Sequence, residues 1–186
     1  MAKSRLKICL SVSAMLFIIV SIVTIALIFT VFKPKDPNIV VHVEPVDLLS
    51  PDMPIIMNIS TLVTIGNPNF GSFEFKKSYS YVTYHDTVVG TVPIESQLVP
   101  AHSEINVSTY TLMTVNKLIN NPDFWKEVVP GYKFTLISKA EFPGKVIVLK
   151  YIKLKGTAYN TCNITVNMAP GSHDVKSICN SQIKIH

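Results

Sequence analysis

Most of the residue patterns that announce an enzyme are missing from this chain. Its seven glycines are scattered and form neither a phosphate-cradling loop nor a Gly-x-Ser-x-Gly elbow, so nucleotide and acyl-transfer chemistry find no support. The histidines His42, His85, His102, His173 and His186 stand apart, with no His-x-x-x-His or Glu-x-x-His spacing to set two metal ligands on one face. No Asp-x-Asp occurs, which speaks against a metal-dependent glycosyltransferase. The close carboxylates Glu44/Asp47 and Asp123/Glu127 read as solvated charges near a turn or on a helix. We therefore expect no catalytic residues, no metal site and no cofactor.

Charge is also missing, completely, from Ile8 to Phe32. At about 1.5 Å per residue a helix of that length exceeds the ~30 Å hydrocarbon core of a bilayer. Secretory signal peptides have shorter apolar regions, about 7–15 residues, and end at small residues, whereas this run ends Thr30-Val31-Phe32-Lys33-Pro34. The sequence predicts a basic cytosolic tail over 1–7, a transmembrane signal anchor over 8–32, a stalk over 33–38 and an external domain over 39–186. Lys3, Arg5 and Lys7 in front of the run set that type II orientation. Small residues in the run, Ser11, Ser13, Ala14 and Ser21, leave self-association through the anchor open. With the tail's three cations set aside, fourteen remain against twelve carboxylates, too even a balance for nucleic-acid binding. Lys76-Lys77 and Lys145, Lys150, Lys153, Lys155 are local concentrations that suit either solvated strand edges or an anionic surface.

Cysteine is sparse and divides by side of the membrane. Cys9 falls in the anchor, while Cys162 and Cys179 fall in the external part with sixteen residues between them. That pair forms a disulfide in an oxidising compartment, or stays as two buried thiols. Three sequons begin at Asn58, Asn106 and Asn163. Each asparagine is out of phase with the apolar residues around it, so all three are expected to point away from the core as glycosylation candidates.

The external part alternates apolar and polar residues in short runs. Strands are expected at Ile39–Val46, Ile55–Ile65, Tyr79–Tyr84, Thr87–Ile94, Ile105–Met113, Tyr132–Phe142, Lys145–Leu154 and Thr157–Asn167, with hairpin turns at His85-Asp86 and Pro143-Gly144. One helix, Val115 to Val129, is expected, with Pro122 able to divide it into two pieces. So many strands with so little helix give a mainly β fold, an antiparallel two-sheet sandwich with one short helix. Asn67-Pro68-Asn69 reads as a strand terminator: Pro68 removes a ladder donor and either Asn can satisfy nearby backbone groups.

Val63-Thr64-Ile65-Gly66-Asn67-Pro68-Asn69, followed by Tyr84-His85-Asp86-Thr87-Val88-Val89-Gly90-Thr91-Val92-Pro93, resembles the plant late-embryogenesis-abundant group 2 domain. Asn67, Pro68, Asn69, Tyr84 and Gly90 are the structural positions of that likeness. A basic tail, an anchor and this domain together resemble its membrane-bound NDR1/HIN1-like relatives. The resemblance implies a Greek-key β-sandwich of fibronectin type III kind and a non-enzymatic role in stress or defence at the plasma membrane. A module of that kind acting by binding is expected to meet cell-wall components, membrane lipid or another protein with its sandwich surface or edge strands. The alternative is a carrier holding an apolar ligand between the sheets, which requires a lined cavity of several hundred Å³, on the order given for small-molecule sites.

Overall fold

The computed structural model describes residues 2–31, 33–44, 55–149, 151–169 and 172–186. The last two residues of the expected strand Ile39–Val46, together with Phe32, Asp47 and Lys150, lie outside them, as do the side chains of Cys9 and His173. The elements in order are α1 (Ala2–Val31), β1 (Asn38–Val43), β2 (Ile56–Asn67), β3 (Ser72–Phe75), β4 (Ser78–Tyr84), β5 (Thr87–Ile94), β6 (Gln97–Val99), β7 (Ser103–Thr114), α2 (Val115–Ile119), α3 (Phe124–Gly131), β8 (Lys133–Val148), β9 (Ile152–Ala169) and β10 (Ser172–Ile185). Two compact units result, Met1–Pro34 and Lys35–His186.

The first unit is α1. Its stretch Leu10–Leu27 is long and apolar enough to cross a membrane, and none of it is buried in protein. Thr24 and Thr30 donate their hydroxyls to the carbonyls of Val20 (2.7 Å) and Ala26 (2.8 Å) one turn back, which hides both polar groups within the helix. The helix begins before residue 8 because the basic tail is made of good helix formers.

The second unit is mainly β and antiparallel throughout. One hydrogen-bonded path runs β1-β2-β7-β5-β4-β8, with β3 and β6 continuing from one edge of β8 and β9 then β10 from its other edge. The alternation that predicts the strands also fixes their faces. Ile59, Thr61, Val63 and Ile65 of β2 point inward, as do Phe134, Leu136, Ser138, Ala140, Phe142 and Val146 of β8. Both sets line the same interior, so the path folds back on itself around a single core. Two hydroxyl pairs are buried in that core, Thr61 with Thr111 (2.8 Å) and Ser80 with Ser138 (2.7 Å). Each hydroxyl satisfies the other.

Several expectations meet the structure here. Pro143-Gly144 is not a turn: β8 continues through it in unbroken register with β9, from Lys133↔Asn167 to Val148↔Ile152. In a strand the N–H and C=O of one residue face the same edge. The Pro143 carbonyl accepts from the Lys76 amide (2.9 Å), so the donor that Pro143 lacks faces away from β9 and costs that ladder nothing. Gly144 is where β3 crosses β8, since a Cβ there would press on the Glu74 carbonyl oxygen and lie 2.9 Å from Phe75 Cα. The helix expected over Val115 to Val129 is divided, as Pro122 allowed, into α2 and α3. Finally, 172–185 is a strand that the pattern did not announce, because β10 packs only one half-exposed face and its outward side carries Ile178.

Candidate functional site

The Asn67-Pro68-Asn69 corner is held by its side chains. Buried Asn67 donates through Nδ2 to the carbonyls of Gly71 (2.8 Å), Pro100 (3.1 Å) and Val99 (3.3 Å), and its Oδ1 accepts from the Asn69 amide (3.0 Å). One side chain thereby joins the end of β2, the turn before β3 and the end of β6. Asn69 clamps the backbone of Lys35 from both sides, accepting from its amide (2.7 Å) and donating to its carbonyl (2.8 Å). Asp36 accepts from the Ile183 amide (3.1 Å). The expected stalk is accordingly shorter than 33–38, with Lys35 and Asp36 already fastened to the domain.

The other positions of the resemblance are also packing devices. Gly90 lies where β5 meets β7, and a Cβ there would sit 3.1 Å from the Leu112 carbonyl. The β4–β5 ladder slips between Val82 and Thr83, leaving Val89 as an extra buried residue beside Gly90. Tyr84 is fully buried edge-on against Phe124 and Phe134. Its hydroxyl has no hydrogen-bond partner of good geometry, and burial, then the neighbouring Glu127 carboxylate, push its pKa above the ordinary phenol value. Glu127 itself meets His85 Nε2 at 3.0 Å on the exposed rim, and Lys126 meets Asp123 at 2.8 Å, holding that carboxyl below its ordinary pKa.

Asn58, Asn106 and Asn163 all have exposed side chains. Asn106 accepts from the Thr64 hydroxyl (2.8 Å), and Asn163 sits between Ile137 of β8 and the exposed Ile178 of β10. Cys162 and Cys179 face each other across β9 and β10 and are joined, with their Cα atoms 4.0 Å apart. Cys162 is fully buried, so the bond fastens β10 directly to the core.

Two surfaces show unused apolar groups. On the outer side of β4 and β7, Tyr79, Tyr81 and Tyr110 are each about half exposed, next to the Lys77–Glu95 ion pair (2.7 Å). At the β8–β9 turn, Leu149, Tyr151, Ile152 and Leu154 stand in solvent. The sequence reading missed the second surface because it put the turn at Pro143-Gly144. The unbroken inward series Phe134 to Val146 was the signal that could have located it.

Comparison with known proteins gives one sequence relative. The chain is 32% identical over 108 residues to a late embryogenesis abundant protein of Arabidopsis thaliana, matching 57% of this chain and 50% of that protein. That supports a late-embryogenesis-abundant relationship. The chain thus spans about half the length of its curated relative. No protein-family model matches. A crystal structure of a protein from Archaeoglobus fulgidus aligns over 82% of this chain and 98% of that one, with 8% identity and a TM-score of 0.38, too loose a likeness to carry an argument.

Proposed function

We propose that the chain is a single-pass, type II plasma-membrane protein of the NDR1/HIN1-like kind. Its group 2 late-embryogenesis-abundant domain, a Greek-key sandwich, serves plant stress or defence by binding rather than catalysis. The observation that carries this reading is the pairing of an unburied, membrane-length apolar helix with a β domain similar to a late embryogenesis abundant protein. The Cys162–Cys179 bond supports an oxidising compartment for that domain, and the exposed sequon asparagines are sterically open to an oligosaccharide. Partners among wall polymer, lipid or protein would meet its outward surfaces. The alternative carrier role gains nothing from two cavities between the faces that the described residues line, about 40 and 30 Å³, because each is at the scale of single waters.

The test is expression of the full chain in plant cells, followed by glycosidase digestion and non-reducing electrophoresis. Asn58→Gln, Asn106→Gln, Asn163→Gln and Cys179→Ser are run alongside. A glycosidase shift that the Asn variants shorten, with a redox-dependent mobility that Cys179→Ser abolishes, is the expected result. An unshifted chain whose domain is cut by protease from the cytosolic side overturns the topology.

A further inference from the structure

The β8–β9 hairpin runs past β10 on its β9 side, while on its β8 side only the last pair lies beyond β3. β10 stops pairing with β9 at Ile185↔Gly156, and β3 stops pairing with β8 at Ser72↔Ile147, yet β8 and β9 continue to Val148↔Ile152. All five residues from Tyr151 to Lys155 are exposed, with Tyr151 89% and Leu149 69% accessible. The two faces of this projection differ. Val146↔Leu154 and Val148↔Ile152 share one face, while Lys145↔Lys155 and Ile147↔Lys153 share the other. The carboxylate nearest these lysines in the ladder is Glu74, opposite Lys145. Leu149, at φ 50°, and Tyr151 flank Lys150 in the sequence at the tip.

This projection lies at the Lys35 end of the domain. Asn69 holds Lys35, and two residues later a Cβ on Gly71 would touch the Val146 side chain and the Ile147 carbonyl. Only residues 32–34 separate Lys35 from the last residue of α1, Val31, so the connecting chain spans at most about 14 Å. A linker that short permits this end of the domain to reach a bilayer that α1 spans. Exposed Leu149, Tyr151 and Ile152 in a segment that also carries Lys145, Lys150, Lys153 and Lys155 give the chemistry of an interfacial anchor for an anionic membrane, with Tyr151 suited to headgroup depth.

We propose that the β8–β9 hairpin docks on the same bilayer, burying Leu149, Tyr151 and Ile152 in its interface while Lys145, Lys153 and Lys155 meet anionic headgroups. The inference rests on the anchor reading above. Docking fixes the domain's tilt and turns the tyrosine surface of β4 and β7 to a defined aspect. A lysine near an anionic surface contributes about a fivefold factor in affinity, so losing all three lowers the docking equilibrium on the order of 100-fold.

The test uses the full chain in vesicles of phosphatidylcholine alone or with phosphatidylserine, carrying Tyr151→Trp in a Trp125→Phe background. Trp125, on α3 at the other end of the domain, is the control in the unaltered chain. Expected are carbonate-resistant association and quenching of the introduced indole by brominated acyl chains, stronger with phosphatidylserine. The combined Lys145→Gln, Lys153→Gln and Lys155→Gln change should remove that quenching, while Trp125 stays unquenched throughout. A chain that resists carbonate but leaves the indole unquenched overturns the docking and leaves the anchor intact. An indole shifted to the blue without lipid quenching has a protein neighbour, which also overturns it. Release of the chain by carbonate overturns the anchor reading and the docking with it.

Discussion

Asn67→Asp changes one buried atom and almost no volume, yet it should be among the most damaging substitutions in the domain. The Nδ2 group faces the carbonyls of Gly71, Pro100 and Val99 at 2.8–3.3 Å, and an aspartate sets an oxygen there instead. Three acceptors lose their donor, at about 1–3 kcal/mol for each group left unsatisfied, and a carboxylate is buried against oxygen dipoles. Carbonyls can find partial compensation, so a net loss of about 3–5 kcal/mol at neutral pH is expected, against a total of roughly 5–15 kcal/mol for a domain. The pH dependence identifies the cause. A protonated aspartic acid can donate one of the lost bonds, so the folded state raises its pKa above the unfolded value near 3.9. The deficit is therefore smallest below about pH 4 and grows as pH rises through the folded pKa. Urea titrations of the full chain in mild detergent at pH 4 and 7, followed by emission of the single tryptophan, Trp125, measure both values. A loss under about 1 kcal/mol, or one equal at the two pH values, would refute the assignment of Asn67 as the donor that joins the three segments.

Reduction of Cys162–Cys179, which closes a loop with a sequence separation of 17, should cost about 3 kcal/mol and lower the urea midpoint; an unchanged midpoint under reductant would show that the β9–β10 ladder alone holds β10. Tyr84→Phe removes a buried, unpartnered hydroxyl and should leave stability unchanged or raise it by about 1 kcal/mol. Because the folded state raises the Tyr84 pKa, this tyrosine's contribution to stability is complete below about pH 10 and is lost above, where Tyr84→Phe should lose less than the parent; parallel curves from pH 9 to 11 would refute this. Gly144→Ala should push β3 off β8 at a cost of about 2 kcal/mol and speed exchange of the Glu74 and Lys76 amides, which face β8, whereas Gly131→Ala, with open space around its Cβ, should be neutral or slightly stabilising.

The sequence by itself determined whatever depends on local period and composition. The uncharged run specifies the apolar helix, period-two alternation specifies an antiparallel β domain, and phase alone turns Asn58, Asn106 and Asn163 outward. Asn67-Pro68-Asn69 was legible as a terminator, though not that Asn67 gathers carbonyls from residues 71, 99 and 100, because those partners are distant in the chain. Tertiary structure decided what neighbouring strands do to each other. Pro143-Gly144 has the composition of a turn, yet β3 crossing on one side and β9 pairing on the other keep the chain extended, so β8 runs on to Val148 before the chain reverses into β9. It also decided that Cys162 faces Cys179, and that an apolar, lysine-flanked hairpin projects from the end where Lys35 is fastened. Such facts come from register between segments far apart in sequence, which no local pattern encodes.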